Sequence, residues 1–318
     1  MQLPKISVIT PSYNQGQYIE QTILSVVNQD YPNLEYIIID GGSTDNTLEI
    51  IRRYEQKISY WVSEKDEGQS DAINKGLMKA TGEIVVWLNS DDYYEPGALN
   101  WVGDAFVKNP EAGVVIGNVN NMTPAGSKQL YQNHFELFDF LKRVSIHQPG
   151  VFWKKELCEV YGYLDKSFYY LMDHELWVRI FFNTQIVHIE KALVNFRIHD
   201  QAKTGKNPGG LYLDFRRIIS RFFNSFSDKK YRNRMEDLGI YDNPTNVKYI
   251  MNRPFSDEEL EKVLKLNLMN AIVLEYTLGN RKSTNQLIFH TLKDGNMLEK
   301  LFILVKNNLG IRKYKPTA

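Results

Sequence analysis

The chain lacks several features that would define its compartment or its ligand. It has one cysteine, Cys158, among 318 residues, so it cannot form an internal disulfide, and this fits a reducing environment. No apolar run approaches the ~18 residues of a membrane span, and the first residues carry no signal-peptide pattern. We therefore expect a cytoplasmic protein.

Charge and phosphate-loop motifs are the next absences. The formal net charge is zero, which argues against attraction of the whole molecule to nucleic acid. Neither G-x-x-x-x-G-K-[ST] nor G-x-G-x-x-G occurs in the chain. A bound nucleotide would therefore be held by other groups, and a metal ion is the natural substitute for such a loop.

Short apolar runs alternate with helical patterns along the first part of the chain. The runs typical of buried strands cover residues 6–10, 34–39, 84–88 and 114–116, and residues 58–63 are predicted to form a further strand. Helical spacing fills the segments between them. Strands alternating with helices predict an α/β fold, with a mostly parallel central sheet and helices on both faces.

Polar residues follow three of these predicted strands. Pro11 and Tyr13 follow the first strand, Asp40 ends the second, and Asp91 and Asp92 follow residues 84–88. Ligands of open α/β sheets bind at the carboxyl ends of the strands, so this edge is the predicted site. Each cluster alone could also be a turn or a helix cap, but their joint placement favours a site.

The chemistry of this edge suits a nucleoside diphosphate. Two adjacent acids such as Asp91 and Asp92 repel each other unless a cation neutralises them, and oxygen ligands favour Mg²⁺ or Mn²⁺. Asp40 can accept hydrogen bonds from a base or ribose, and Tyr13 can stack on a base.

Four motifs in order closely resemble glycosyltransferase family 2. They are residues 6–14 (ISVITPSYN), 39–45 (IDGGSTD), 66–76 (DEGQSDAINKG) and 88–92 (LNSDD). Members of this family have the GT-A fold and transfer a sugar from a nucleotide-sugar with inversion. The resemblance covers about residues 4–205 and implies a GT-A domain over 1–205, with a nucleotide-sugar-binding half (about 1–118) and an acceptor-side half (about 119–205). Residues 206–318 are predicted to form a helical C-terminal region.

The resemblance also implies roles for individual residues. Donor-binding residues would be Thr10, Pro11, Tyr13, Asp40, Gln69, Asp71, Ser90 and Asp91. Asp91, Asp92 and His199 would hold the metal, with His199 placed by the family's Arg-x-His segment, although a histidine on a strand can also be structural. The family's usual first aspartate of the acidic motif is Asn89 here, which could weaken divalent binding.

The second half of the domain supplies a candidate general base. Residues 171–179 (LMDHELWVR) match the family's Glu-Asp-x-x-Leu-x-x-Arg form, so Asp173 corresponds to the base and Met172 replaces the preceding Glu. Asp173 could instead be only a helix cap. His147 and Gln148 lie in a segment that resembles the acceptor side, where a contact with sugar and a structural role are equally compatible with the sequence.

The C-terminal region has helical apolar spacing and many basic residues. Nine basic residues against two acidic ones lie between Lys203 and Arg234. A solvated basic face is the simpler interpretation, and peripheral contact with an anionic membrane at the inner face is the alternative. The latter would fit a polyprenyl-diphosphate-linked acceptor.

These observations predict a metal-dependent inverting glycosyltransferase of polysaccharide biosynthesis that uses a UDP-, GDP- or dTDP-sugar and a glycan or lipid-linked acceptor. A catalytically silent nucleotide- or glycan-binding module is the alternative from another class, favoured by Asn89 and Met172. A sugar nucleotidyltransferase fits less well, because residues 14–17 (NQGQ) lack the basic, glycine-rich signature after the first strand.

Overall fold

The computed structural model describes residues 2–199, 203, 208–277 and 279–292. The chain packs as two compact units, one formed by residues up to 136 together with 144–203, the other by 137–143 together with 204 onward. The short segment 137–143 therefore belongs with the second unit, although it lies within the predicted first domain. The division into domains 1–205 and 206–318 stays a prediction, because compactness does not establish independent folding.

The first unit is built on one sheet. Its strands are β1 (Ile6–Ser12), β2 (Leu34–Asp40), β3 (Tyr60–Ser63), β4 (Ile84–Trp87), β5 (Tyr93–Tyr94), β6 (Ala112–Met122), β7 (Lys128–Tyr131), β8 (Val151–Lys154) and β9 (Gln185–Arg197). The sheet order is β3-β2-β1-β4-β8-β6-β9-β5, and β7 pairs with β6.

Strand direction divides this sheet into two halves. The strands β3, β2, β1 and β4 are parallel neighbours, whereas β8 runs antiparallel to both β4 and β6. β9 is parallel to β6, while β5 is antiparallel to β9. The predicted α/β class is confirmed, and its parallel part is the half that carries the three strand ends singled out above.

Helices cover the sheet and form the second unit. Those of the first unit are α1 (Ile19–Val27), α2 (Thr47–Arg53), α3 (Gln69–Lys79), α4 (Ala98–Lys108), α6 (Glu156–Tyr161) and α7 (Met172–Phe181). Those of the second are α5 (Leu137–Phe140), α8 (Pro208–Asn224), α9 (Lys230–Asp237), α10 (Asp257–Thr277) and α11 (Arg281–Leu292). The part of the predicted helical C-terminal region that follows residue 292 lies outside the described residues.

Two packing features place the elements of the site. A side chain at Gly76 would put its Cβ 2.3 Å from Ile9 Cγ2, so glycine lets α3 pack directly on β1. Trp87, Trp153 and Trp177 are buried together, and the rings of Trp87 and Trp177 stack with centroids 5.6 Å apart. Because Trp87 ends β4 and Trp177 lies on α7, this contact fixes α7 against the central strand.

Ion pairs balance much of the basic character of the second unit. The pairs are Arg216–Glu275, Arg217–Asp242, Lys230–Asp257, Arg232–Glu236 and Arg234–Glu261. These acidic partners all lie beyond residue 234, so a count over 203–234 overstates the local positive charge. None of the helices in the described part of the chain is long and apolar enough to cross a membrane.

Candidate active site

The loops after β1 and β2 are tied to each other. The Asp40 carboxylate is fully buried and accepts hydrogen bonds from the Gly42 and Ser43 N–H groups and from the Ser43 and Ser63 hydroxyls, at 2.5 to 3.0 Å. Ser43 Oγ in turn accepts the Asn14 N–H at 2.7 Å. Asp40 therefore shapes the loop that carries Tyr13, and whether it also contacts a nucleoside stays a prediction.

The other predicted donor residues of β1 differ in accessibility. Thr10 and Pro11 are buried, and Thr10 Oγ1 lies 3.2 Å from the Tyr36 hydroxyl. Tyr13 is 60% exposed, so its ring is open to stack on a base. Among these three residues, Tyr13 is the one whose side chain is accessible to a ligand.

Gln69 lies in a short chain of hydrogen bonds at the start of α3. Its Nε2 donates to Asn89 Oδ1 at 2.9 Å, and its Oε1 accepts from Lys203 Nζ at 3.3 Å. The Asn89 amide oxygen can accept this bond as an aspartate would. The Asp71 carboxylate instead accepts a hydrogen bond from the Glu67 N–H and forms an ion pair with Lys166. This ion pair holds the loop before α7 against α3.

The acidic turn, residues 89–92, is held by its backbone. Thr22 Oγ1 on α1 donates to the carbonyl oxygens of Ser90 and Asp92 at 2.9 and 2.6 Å. The carbonyl of Asp91 accepts from the Arg197 guanidinium, and the Asp92 N–H donates to the Asn89 carbonyl. These contacts fix the turn without using the Asp91 carboxylate. Ser90 itself is buried.

The two carboxylates of this turn have different surroundings. Asp91 Oδ2 lies 3.1 Å from His199 Nε2, and the Asp91 side chain is partly exposed. Asp92 is buried, and its Oδ1 accepts the Arg197 N–H at 2.9 Å. Burial, followed by the charge of Asp91, raises the pKa of the Asp92 carboxyl well above its ordinary value.

The donor set of this turn fits a divalent cation. Asp92 Oδ2 is buried without a hydrogen-bond partner among the described residues, and His199 Nδ1 is in the same condition. A cation would offset the repulsion that raises the Asp92 pKa. In the described ranges there is no cluster of three or more His, Cys, Asp or Glu side chains that could hold a metal. The protein would thus supply few ligands, as Mg²⁺ and Mn²⁺ sites completed by substrate phosphates do.

Asp173 lies in the first turn of α7, half-buried, and its Oδ1 accepts the His174 N–H at 2.7 Å. Burial raises the pKa of the Asp173 carboxyl to about 6, while this hydrogen bond and the charge of Lys203 act in the opposite direction. A carboxylate with a pKa near neutral pH suits a general base. The helix is anchored by the ion pair Glu175–Arg179, whose guanidinium also donates to the Tyr163 carbonyl at 2.7 Å.

His147 and Gln148 serve the packing of the sheet. The His147 ring stacks on Tyr131 at 4.0 Å, and burial lowers the pKa of its imidazole to about 4. Gln148 is buried, and its Nε2 donates to the Trp87 carbonyl at 2.7 Å. These contacts support the structural alternative for both residues, and their contact with an acceptor stays a prediction.

Sequence reasoning did not single out Arg197 or Lys203. Lys203 lies 3.9 Å from the centroid of the exposed Tyr169 ring and also contacts Gln69. Arg197 was visible as the Arg of Arg-x-His, but its contacts with the acidic turn depend on pairing of β9 with β5 and β6. The sequence signal therefore existed for Arg197, whereas nothing in the sequence pointed to the contacts of Lys203.

Comparison with known sequences identifies the family. Residues 7–199 match the model of Glycosyl transferase family 2. An uncharacterized glycosyltransferase of Rickettsia typhi is 28% identical over 212 residues, which are 63% of this chain and 66% of that protein. A poly-β-1,6-N-acetyl-D-glucosamine synthase of Staphylococcus epidermidis is 34% identical over 119 residues, 37% of this chain and 29% of the synthase. The matches thus span two thirds or less of these relatives.

Solved structures agree on the fold. S. aureus TarS 1-349 in complex with UDP-GlcNAc superposes with a TM-score of 0.58 at 19% identity, over 85% of this chain and 73% of that one. The mannosyltransferase PcManGT from Pyrobaculum calidifontis, in complex with GDP-Man and Mn²⁺, gives a TM-score of 0.54 at 17% identity, over 99% and 82%. The predicted GT-A fold is confirmed, and the chain belongs to glycosyltransferase family 2.

Proposed function

We propose that this chain is a metal-dependent inverting glycosyltransferase that moves a sugar from a nucleotide-sugar to a glycan or lipid-linked acceptor in polysaccharide biosynthesis. The relatives support this direction, since one is named as a synthase of a poly-N-acetylglucosamine. TarS and PcManGT were solved with UDP-GlcNAc and with GDP-Man, so a UDP- or GDP-sugar is the first donor to test, and a dTDP-sugar the next.

One observation carries the proposal. Burial raises the pKa of Asp173 to about 6, and this residue lies on α7. Trp177, also on α7, stacks on Trp87, which ends β4 just before the acidic turn. The packed tryptophan rings thus connect the candidate base Asp173 to the turn that carries Asp91 and Asp92, in which Asp92 Oδ2 has no hydrogen-bond partner among the described residues. A structural helix cap would not need a raised pKa, because capping stabilises the ionised form.

The reaction would be a single displacement. The Asp173 carboxylate takes the proton from an acceptor hydroxyl as the hydroxyl oxygen bonds to the anomeric carbon. The bond from that carbon to the diphosphate oxygen breaks, and its electron pair leaves with the nucleoside diphosphate. Because attack and departure occur on opposite faces, the configuration at the anomeric carbon inverts.

The donor side would use the residues at the sheet edge. Tyr13 would stack on the base, and the loop held by Asp40 would shape the nucleoside pocket. The described residues do not bring all three predicted ligands together. Asp91, with either Asp92 or His199, would supply the few protein ligands of Mn²⁺ or Mg²⁺, and the bound ion would neutralise charge that develops on the diphosphate. Gln69 and Lys203 lie next to this turn, and Lys203 would add positive charge beside the leaving group.

The acceptor is the less defined substrate. A polyprenyl-diphosphate-linked sugar at the inner face of the plasma membrane would suit a cytoplasmic enzyme with peripheral membrane contact. The ion pairs of the second unit reduce the free positive charge available for such contact. Membrane association therefore stands as a separate prediction, independent of the transfer reaction.

The test is release of nucleoside diphosphate from UDP-, GDP- and dTDP-sugars, each with Mn²⁺, Mg²⁺ or EDTA. Slow hydrolysis of the donor does not require the acceptor, so the assay can begin without it. Release from one donor that EDTA abolishes supports the proposal and names the donor. The absence of release, together with no nucleotide binding by calorimetry, would favour the silent binding module.

A further inference from the structure

Arg197 connects three elements around the acidic turn. It is the last residue of β9, and its main-chain N–H donates to Asp92 Oδ1 at 2.9 Å. Its guanidinium donates through Nη1 to the Asp91 carbonyl and through Nη2 to Gln21 Oε1 on α1. One residue thus binds the backbone of the first acid, the carboxylate of the second and a neighbouring helix.

Two aromatic rings hold the guanidinium in place. The Tyr18 and Tyr93 ring centroids lie 5.1 and 4.6 Å from Arg197 Cζ. Each such cation–π contact stabilises the guanidinium over the ring face. Tyr18 also packs against the His199 ring, with centroids 5.1 Å apart. The position of Arg197 is therefore linked to the position of His199 through a shared ring.

Arg197 binds the main-chain carbonyl of Asp91 and not its carboxylate. An arginine beside two acids would ordinarily bind a carboxylate with its planar fork. Here Nη1 donates to the Asp91 carbonyl and Nη2 to Gln21 Oε1, while Asp91 Oδ2 lies 3.1 Å from His199 Nε2. The positive charge is thus close enough to offset the charge of the acids, while the guanidinium itself does not occupy the side-chain oxygens of Asp91.

We propose that Arg197 is a positioning residue for the divalent cation: it holds the Asp91 carboxylate and the His199 imidazole where both can coordinate one ion, without touching the substrate itself. This inference rests on the proposed function, since it assumes the cation. Substitution of a residue that orients metal ligands typically lowers metal affinity about 10- to 100-fold.

The experiment measures Mn²⁺ binding to the full chain by electron paramagnetic resonance, in which free Mn²⁺ gives the signal. The variants are Arg197→Gln, Arg197→Lys and Gln21→Ala, with Arg53→Gln as the matched control, because Arg53 forms an exposed ion pair with Glu20. We expect Arg197→Gln to weaken Mn²⁺ binding about 10- to 100-fold. Arg197→Lys keeps the charge but not the fork, so it should recover part of this loss.

Gln21→Ala removes one anchor of the guanidinium at an exposed position, so it should weaken binding less and fold normally. This variant keeps the test decisive if Arg197→Gln fails to fold. In that case the inference would be overturned if both Gln21→Ala and Arg197→Lys bound Mn²⁺ with the affinity of the wild type.

A second measurement separates positioning from direct contact with the diphosphate. Calorimetry of UDP and GDP binding in EDTA should give the same affinity for wild type and Arg197→Gln. A parallel loss of metal-free nucleotide affinity would overturn the positioning role, and so would Mn²⁺ binding by Arg197→Gln within twofold of wild type. Failure of the wild type to bind Mn²⁺ both alone and in the presence of UDP or GDP would instead overturn the proposed metal dependence, and the inference with it.

Discussion

Asp40 and Asp92 offer a direct comparison, because both are buried acids near the carboxyl end of a parallel strand. Asp40 ends β2, and Asp92 lies in the turn that follows β4. The Asp40 carboxylate accepts four hydrogen bonds from its own loop and from Ser63. Asp92 has one oxygen bound by the Arg197 N–H and another that has no partner among the described residues. An acid that follows an apolar run is therefore fully hydrogen-bonded in one case, Asp40, and only partly hydrogen-bonded in the other, Asp92.

The two acids differ in how each affects the stability of the free protein. A carboxylate with satisfied oxygens stabilises its loop, and its removal should be felt as lost stability. A buried carboxylate beside a second acid destabilises the free protein and is relieved by a cation. Asp173 resembles Asp92 in that burial raises its pKa, although its Oδ1 accepts the His174 N–H.

The largest effect is expected at Asp173. Asp173→Asn should lower transfer or donor hydrolysis by about 10²- to 10⁴-fold, because the general base is lost. Nucleotide affinity should be unchanged, and stability at pH 7 should rise by on the order of 1 kcal/mol, since a desolvated charge is removed. Steady-state kinetics, calorimetry and urea unfolding measure the three quantities. Asp104→Asn on α4 is the control, and equal loss of activity and of nucleotide affinity would exclude the assigned role.

The next effect separates Asp40 from Asp92. Asp40→Asn should lower the free energy of unfolding by about 1–3 kcal/mol, because an amide cannot accept all four hydrogen bonds and buries an unmatched N–H₂ group. Asp92→Asn should leave stability unchanged or raise it, yet weaken Mn²⁺ binding. Urea unfolding and Mn²⁺ titration of both variants measure this contrast. If both variants lose the same stability, the distinction between the two acids is wrong.

A smaller effect concerns pH. Asp173 must be ionised to act as a base and its pKa is about 6, so kcat/KM should fall as pH drops below about 6. The charge of Lys203 lowers this pKa, so Lys203→Met should move the acid limb of the pH profile to higher pH. Lys203→Arg retains the charge and is the control. An acid limb that stays in place in Lys203→Met would show that Lys203 does not act on the base.

The smallest effect is expected at Asn89. Asn89→Asp restores the family's usual acid and keeps an acceptor for Gln69 Nε2. The added charge should tighten Mn²⁺ binding by a few-fold at most, because the carboxylates of Asp91 and Asp92 already lie at the proposed metal site. Mn²⁺ titration of the variant tests this. A change larger than tenfold would mean that Asn89 limits the metal site much more than its hydrogen bond indicates.

The fold could be predicted well because its signals are local. The apolar runs of β1, β2 and β4 are buried as expected, and the motifs identified the family that the match of residues 7–199 to the family model confirms. The antiparallel insertion of β8 was not predictable, because its pairing with β4 and β6 depends on contacts between distant residues.

The site was less predictable for the same reason. Motifs could assign a type of role to Asp40 and Asp92, but they could not tell a satisfied carboxylate from an unsatisfied one. That difference depends on Ser63 in β3 and on Arg197 in β9, which lie far away in sequence. His147 and Gln148 show the same limit, since their motif did not reveal their packing partners.

The stacked rings of Trp87 and Trp177 have a consequence for motion. They join the strand that precedes the acidic turn to the helix that carries Asp173, within the densely packed tryptophan cluster completed by Trp153. A hinge between these two elements would have to break aromatic contacts, so neither can swing independently during a catalytic cycle. We therefore expect the acidic turn and the helix that carries Asp173 to keep their separation while substrates enter and products leave.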